Sequence, residues 1–221
     1  LYRLCRCYYV ATIFLDCFSE FFHLNLLKLT DYSSLAFFQS NNNKVIQVHD
    51  KQFEIYLSKA DIAAAVQQIA DGINADYAGE KVLLVAVLNG AFIFVADVMR
   101  CLTIDCEIEF IKTQSYEGMH STGNVKMLLG LEKDLKDQHI ILLEDIVDTG
   151  NTLAALLDIF RKKQPKSLKV ATLLLKSAAL QHKNLPLDYV GIDIPNKFVV
   201  GYGLDYDGCG RQYPDIYQVV V

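Results

Sequence analysis

Two stretches of the chain are apolar at every position, and they restrict the folds that it can adopt. The first, Val82 to Leu88, reads VLLVAVL, and the second, Ile140 to Leu143, reads IILL. A strand with one face in water alternates apolar and polar residues, whereas a strand covered on both faces is apolar throughout. Both stretches therefore predict strands buried inside a sheet.

A helix-like segment follows each of these strands after a short polar turn. Residues 91–102 and 153–160 both carry apolar side chains at helical spacing. A further helix is predicted over residues 59–76, because Ser58 and Asp61 form a capping-box pattern at its start. The alternation of strands and helices predicts an α/β fold, with a mostly parallel twisted sheet flanked by helices.

A polar run, Ser40 to Asn43, divides the chain. The 43 residues up to that point hold three of the six cysteines and crowd aromatic residues among scattered charges. We interpret residues 1–43 as an atypical extension that is non-native or disordered, with a genuine extension or a targeting segment as alternatives. Residues 44–221 have a length typical of one α/β domain and are predicted to form it.

Charge and cysteine spacing disfavour several classes of protein. The chain has 21 basic and 26 acidic side chains, a net charge of −5, which argues against a nucleic-acid or anionic-membrane binder that neutralises phosphates. No apolar run is long enough to cross a bilayer as a helix. The absence of a C-x-x-C pair removes the spacing signal of zinc ribbons and thioredoxins, and we expect a reduced, cytoplasmic protein.

The junction after the second buried strand carries the clearest chemical signal. Ligands of open α/β sheets bind beyond the carboxyl ends of the strands, where the next helix presents unpaired N–H groups. Two hydroxyls and a glycine at this helix start predict a phosphate site. The two acids upstream would repel phosphate, so a sugar diol or a divalent metal is their expected partner. Phosphate with a diol indicates a ribose 5-phosphate. The junction reads Glu144-Asp145-Ile146-Val147-Asp148-Thr149-Gly150-Asn151-Thr152.

Two other interpretations of the junction stay open at this point. The acids could form a solvated turn in which Thr149 caps the next helix. Asp148-Thr149-Gly150 is also the catalytic triplet of aspartic proteases, but the chain holds one copy, followed by a helix-like segment. The P-loop, G-x-G-x-x-G, G-x-S-x-G and H-E-x-x-H patterns are absent, so their enzyme classes are not first choices.

The junction resembles the phosphoribosyl pyrophosphate motif of type I phosphoribosyltransferases. Further segments in the same order narrow the resemblance to the hypoxanthine-guanine phosphoribosyltransferases, over roughly residues 45–219. These segments are Leu88-Asn89-Gly90, Ser115-Tyr116 with Ser121-Thr122-Gly123, Lys176, and Lys197 to Tyr206 followed by Arg211. The resemblance implies the type I fold, with a small hood region.

The resemblance also implies roles for the junction residues and for Lys176. Glu144 and Asp145 would hold the ribose hydroxyls directly or through Mg²⁺, and Asp148 to Thr152 would bind the 5-phosphate. Asp148 would act as the catalytic base near N7 of the purine. Lys176 would donate to the 6-oxo group, which disfavours adenine because two donors would face each other.

The remaining implied roles fall on three segments. Phe198 would stack on the purine, Val199 would read the base edge through its backbone, and Asp205 would contact both purine and metal. The implied metal ligands are therefore Glu144, Asp145 and Asp205. Pyrophosphate would be bound by Leu88, Asn89, Gly90 and Arg211, and Ser115 and Tyr116 would belong to a mobile lid, with residues 118–124 as its polar part.

Asn89 departs from the family pattern, in which a lysine or arginine often stands beside the pyrophosphate. An amide donates hydrogen bonds without bringing a charge, so we expect weaker charge stabilisation at this position. In the family, the peptide that corresponds to Leu88–Asn89 can adopt the cis form.

The resemblance implies a purine salvage enzyme that uses Mg²⁺ and phosphoribosyl pyrophosphate to convert hypoxanthine or guanine into IMP or GMP and pyrophosphate. It also implies a homo-oligomer, dimer or tetramer, without a nucleic-acid or membrane partner. The alternatives are a relative that prefers xanthine or adenine, and a regulatory protein that binds the nucleotide without catalysis. The presence of Asp148, Lys176, Asp205 and Arg211 disfavours the regulatory alternative.

Overall fold

The computed structural model describes residues 45–115, 125–129 and 133–220. The predicted extension, residues 1–43, and the lid residues 116–124 lie outside these described residues. The strands are β1 (Val45–Val48), β2 (Lys51–Leu57), β3 (Val82–Leu88), β4 (Cys106–Ser115), β5 (Val125–Leu129), β6 (His139–Val147), β7 (Ser167–Leu175), β8 (Tyr189–Asp193), β9 (Val199–Val200) and β10 (Ile216–Val219). The helices are α1 (Lys59–Asp76), α2 (Phe92–Cys101) and α3 (Asn151–Arg161), and a 3₁₀ turn covers Ser177–Ala179.

The larger sheet has the strand order β5-β4-β3-β6-β7-β8. All neighbours from β4 to β8 pair in parallel, and β5 pairs antiparallel to β4 at one edge. The predicted mostly parallel sheet flanked by helices is therefore confirmed. The strand order reverses direction between β3 and β6, and such a switch point leaves a crevice beyond the carboxyl ends of the two strands.

Strand β3 is buried on both faces, as its sequence predicts. Its even-numbered residues from Val82 to Ala86 pack in the core with α1 and α2. Its odd-numbered residues from Leu83 to Val87 pack with α3 on the other face. Each fully buried aliphatic side chain contributes about 1.5–3 kcal/mol. This explains why the strand has no polar position before it ends at the crevice.

Helices α1 and α2 and strand β3 match their predicted bounds to within one residue, whereas β6 and α3 extend beyond theirs. Helix α1 begins at the predicted capping box, in which Ser58 Oγ accepts from the Asp61 N–H and the Asp61 carboxylate accepts from the Ser58 N–H. Strand β6 continues beyond its apolar run to Val147, because its pairing with β7 continues there. Glu144 and Asp145 therefore belong to the strand itself.

A second, four-stranded antiparallel sheet has the order β1-β2-β10-β9. Its small core includes Phe53, Val200 and Tyr217. This sheet corresponds to the expected hood region, and the connection from β9 to β10 carries Asp205 and Arg211. In the part of the chain that the structure describes, no helix is both long and apolar enough to span a membrane.

Candidate functional site

Three segments meet at the crevice between β3 and β6. Gly90 follows β3, and a Cβ atom there would overlap the Asp145 carboxylate, so this side chain lies directly against the Gly90 backbone. Gly203, from the hood, has φ +98° and lies so close to the Gly90 carbonyl that a Cβ atom would overlap it. The Leu88–Asn89 peptide before Gly90 is cis. The crevice therefore brings together the predicted pyrophosphate turn, one predicted ribose acid and the hood.

The two adjacent acids of β6 point to opposite faces, as successive strand residues do. Glu144 is 9% exposed and lines a cavity of about 110 Å³ bounded by residues 146–153, whereas Asp145 faces Gly90. Burial raises the pKa of Glu144 well above its usual range, and the Asp145 charge adds to this. Burial also raises the pKa of Asp145 to about 6, against the lowering effect of the Ile146 N–H that its carboxylate accepts. The charge of Arg211 also lowers the pKa of Asp145, but burial outweighs it, so a bound cation or sugar hydroxyls would stabilise both carboxylates.

The acids suit a magnesium ion that also binds substrate. Among the described residues, no group of three or more His, Cys, Asp or Glu side chains is close enough to hold a metal by itself. Mg²⁺ usually binds through one or two carboxylates, with waters and substrate phosphates as the other ligands. Asp145 fits this mode, and Asp205, whose charge raises the pKa of Asp145 while that of Arg211 lowers it, is its predicted partner. The predicted set of Glu144, Asp145 and Asp205 stays a prediction.

The predicted phosphate segment forms the start of α3. Gly150 precedes the helix with φ +81°, and Thr149 Oγ1 accepts from the N–H of Asn151, the first helical residue, at 3.4 Å. The first N–H groups of a helix have no partner within it. Together with the Thr149 and Thr152 side chains they border the cavity next to Glu144. This arrangement can accept a phosphate group.

Two residues that the sequence did not reveal hold this segment. His182 Nε2 lies 2.8 Å from Asn151 Oδ1, and Asn151 Nδ2 donates to Gln181 Oε1 at 3.3 Å. The Gln181 N–H also donates to the Thr149 carbonyl at 3.0 Å. No local pattern predicts these contacts, because the partners are separated by 30 residues or more.

The predicted base and the predicted purine-reading lysine contact each other. Lys176 Nζ donates to Asp148 Oδ2 at 2.6 Å. The lysine side chain is 7% exposed and the aspartate side chain 47%. The Lys176 N–H donates to the Val147 carbonyl at 2.9 Å, so the ends of β7 and β6 fix this pair. A carboxylate of β8, Asp193, accepts from the backbone and hydroxyl of Ser177 and fixes the turn that follows.

The hood presents the predicted stacking residue. Phe198 is 45% exposed, and its ring packs edge-on against Tyr206 and at a tilt against Phe53. Its neighbour Val199 is buried in β9. A large aromatic ring with an open face is available for stacking.

Asp205 and Arg211 form an ion pair at 2.7 Å. The Arg211 guanidinium also donates to the Gly203 carbonyl at 2.6 Å. Since Gly203 contacts the Gly90 backbone, Arg211 lies close to the Leu88–Gly90 turn. Ser115 ends β4 opposite Val125. Its predicted lid partner Tyr116 lies outside the described residues.

Comparison with known proteins identifies this arrangement. The sequence matches the phosphoribosyl transferase domain family over residues 52–207. The chain belongs to the phosphoribosyltransferase family. The matched region includes the junction after β6, Lys176 and Asp205, so the family predicted from these segments is confirmed.

Individual phosphoribosyltransferases are similar over most of their length. The hypoxanthine phosphoribosyltransferase of Buchnera aphidicola is 38% identical over 170 residues, which cover 76% of this chain and 96% of that protein. The hypoxanthine-guanine phosphoribosyltransferase of Mycobacterium tuberculosis is 39% identical over 169 residues, or 73% of this chain and 82% of that one.

Solved structures of phosphoribosyltransferases share the fold. A hypoxanthine-guanine phosphoribosyltransferase from Bacillus anthracis superimposes with a TM-score of 0.72 at 38% identity, covering 76% of this chain and 98% of that one. The Trypanosoma cruzi hypoxanthine phosphoribosyl transferase superimposes with a TM-score of 0.73 at 34% identity, covering 79% of this chain and 95% of that one.

Proposed function

We propose that this phosphoribosyltransferase transfers the 5-phosphoribosyl group of phosphoribosyl pyrophosphate to hypoxanthine or guanine, forming IMP or GMP and pyrophosphate. The pair formed by the buried Lys176 and the half-exposed Asp148 carries the proposal. It sets a donor and an acceptor side by side, and a 6-oxopurine presents the complementary pair, an O6 acceptor beside an N7–H donor. Adenine would present its amino group to the ammonium, and two donors cannot pair.

The rest of the site suits the sugar phosphate. The start of α3 would bind the 5-phosphate, and Glu144 and Asp145 would accept from the ribose hydroxyls. Asp145 and Asp205 would hold Mg²⁺ together with substrate oxygens. The ion, when bound, would neutralise charge on the leaving pyrophosphate.

Each proposed residue has a defined task in the transfer. N9 of the purine attacks C1 of the ribose while the bond from C1 to the pyrophosphate oxygen breaks, and pyrophosphate leaves with that electron pair. Asp148 accepts the N7 proton as N9 attacks, and Lys176 stabilises the negative charge that grows on O6. Phe198 fixes the plane of the base by stacking, with Val199 at its edge. Arg211 and the backbone of the Leu88–Gly90 turn would hold the pyrophosphate.

The proposal includes a cytoplasmic location and a homo-oligomer, dimer or tetramer. The described cysteines, Cys101, Cys106 and Cys209, are free thiols, which suits a reducing compartment. Sedimentation of the purified chain at several concentrations measures its assembly state.

Turnover of four purines tests the proposal. Hypoxanthine, guanine, xanthine and adenine are each incubated with phosphoribosyl pyrophosphate and Mg²⁺, using wild type and Asp148→Asn. We expect conversion of hypoxanthine and guanine, no use of adenine, and a kcat lower by about 10²- to 10⁴-fold in the variant. Asp158→Asn, at an exposed position on α3, is the matched control and should retain the wild-type rate. Binding of the sugar phosphate without turnover of any purine would overturn the proposal and support a regulatory role.

A further inference from the structure

A buried tyrosine ties the hood to helix α2. Tyr202 lies between β9 and β10, is 7% exposed, and donates its hydroxyl to Asp97 Oδ2 at 2.7 Å. Asp97 belongs to α2 and also pairs with Arg100. Burial, reinforced by the Asp97 hydrogen bond, raises the pKa of Tyr202, so the phenol remains a donor.

The backbone around Tyr202 needs an external support. Tyr202 has φ +50°, and its neighbours Gly201 and Gly203 have φ +101° and +98°. The left-handed region is unfavourable for a residue with a Cβ atom, by roughly 1–2 kcal/mol. The two glycines adopt this region without that penalty, whereas Tyr202 incurs it and is held by what its side chain and backbone contact.

These contacts lead directly to the proposed pyrophosphate residues. Gly203 rests on the carbonyl of Gly90, immediately before α2. The Gly203 N–H donates to the Arg211 carbonyl at 3.0 Å, and the Arg211 guanidinium donates back to the Gly203 carbonyl. Since α2 follows the Leu88–Gly90 turn directly, a tie from Tyr202 to α2 sets the separation of that turn and Arg211.

We propose that Tyr202 is a positioning residue for the pyrophosphate half of the site, acting through its hydrogen bond to Asp97. The bond holds the loop that carries Asp205 and Arg211 against the Leu88–Gly90 turn. Asn89 brings no cation to this turn, so charge stabilisation there depends on where Arg211 is held. The inference rests on the proposed function, and it gives Tyr202 no role in binding the purine.

Steady-state kinetics of Tyr202→Phe test the inference. The variant keeps the ring and loses one hydrogen bond, which corresponds to about a three- to tenfold effect on binding. We expect the KM for phosphoribosyl pyrophosphate, and for pyrophosphate in the reverse reaction, to rise by that factor. The KM for hypoxanthine should stay within about twofold, because the Lys176–Asp148 pair is not touched.

Two sets of variants separate positioning from general loss of structure. Asp97→Ala should reproduce the Tyr202→Phe kinetics, whereas Asp97→Asn keeps an oxygen acceptor and should restore most of the affinity. Tyr189→Phe is the matched control, because Tyr189 is a buried tyrosine that also donates to an aspartate, Asp76, at 2.7 Å. It lies at the start of β8, away from the crevice, and should leave every KM unchanged.

The outcomes distinguish this inference from the proposed function. An unchanged KM for phosphoribosyl pyrophosphate in Tyr202→Phe, an equal rise in the hypoxanthine KM, or the same effect in Tyr189→Phe would overturn the inference. If the wild type converts no purine, the proposed function fails by itself. Calorimetric binding of magnesium pyrophosphate to wild type and Tyr202→Phe then decides the inference: weaker binding by the variant supports it, and equal binding overturns it.

Discussion

Lys176 keeps its ammonium group where water hardly reaches it, while its partner Asp148 is half exposed. The two sides of this ion pair are therefore unequal. Removing the aspartate leaves a buried charge without compensation, whereas removing the lysine leaves a carboxylate that water can solvate. The same asymmetry favours ligand binding, because the incoming base can take over part of the lysine's donor capacity.

We predict that Asp148→Ala destabilises the protein more than Lys176→Met does. The alanine variant should lose on the order of 2–3 kcal/mol of unfolding free energy, and the methionine variant, which keeps the packed stem, less than about 1 kcal/mol. Urea unfolding without ligands measures both values. Equal losses of unfolding free energy in the two variants would show that the unequal burial of Lys176 and Asp148 does not determine the stability of the pair.

Asp145 gives the metal-free protein a pH dependence of known sign. Its pKa is about 6 in the folded chain against an ordinary value of 3.8. Between these values the folded state binds more protons than the unfolded state, so the stability present below the ordinary pKa is lost as the pH rises through about 6. At neutral pH the buried carboxylate therefore destabilises the chain.

We predict that Asp145→Asn raises the unfolding free energy of the metal-free protein at pH 7.5 by on the order of 2 kcal/mol. Asn can still accept the Ile146 N–H, so the hydrogen bond is kept. The gain over wild type should shrink as the pH falls from about 6 towards 3.8, and thermal melts in EDTA across this range measure it. A gain that is the same at every pH would show that the titration of Asp145 is not its cause.

At the scale of single elements, the turn into α3 depends on one glycine. Gly150 has φ +81°, and a Cβ atom would overlap Leu185. Gly79, in the turn after α1, has φ +79° and open space where its Cβ atom would be. Substitution at both positions adds the same backbone strain, but at Gly150 it also adds a steric clash.

We predict that Gly150→Ala costs more unfolding free energy than Gly79→Ala, by up to about 1 kcal/mol, because the terminal methyl of Leu185 must move aside in addition to the shared backbone strain. Gly150→Ala should also raise the KM for phosphoribosyl pyrophosphate, since the phosphate segment must shift, whereas Gly79→Ala should not. Chemical unfolding and initial-rate kinetics provide the two measurements. If Leu185→Ala does not relieve part of the cost in a double-mutant cycle, the clash is not the cause.

The sequence predicted those elements whose identifying pattern lies within a short stretch of the chain. The apolar run of β3, the capping box at Ser58 and the junction after β6 can each be recognised within about ten residues. The partners of those elements could not be predicted, because they depend on strand register. Lys176 meets Asp148 because Val147 pairs with Leu175. The same limit applies to Tyr202 and Asp97, which are 105 residues apart.

At the scale of the whole molecule, the site requires both sheets. The parallel sheet supplies the acids, the phosphate segment and the Lys176–Asp148 pair, and the hood supplies Phe198, Asp205 and Arg211. The two sheets meet where Gly203 rests on Gly90, with backbone against backbone. Since no side chain intervenes, a small displacement of the hood changes the distance between the two halves of the site directly.

Residues 44–221 should therefore suffice for folding and turnover. The two large apolar cores and every described site residue lie within this range, and the family match begins at residue 52. We predict that a chain lacking residues 1–43 keeps its kcat/KM for hypoxanthine within about twofold and melts within a few degrees of the full chain, because all described core and site residues remain. Paired melting curves and initial rates at equal concentration measure this. Loss of cooperative unfolding on deletion would mean that the first residues support the core, whereas loss of turnover with normal melting would mean that they act on the site.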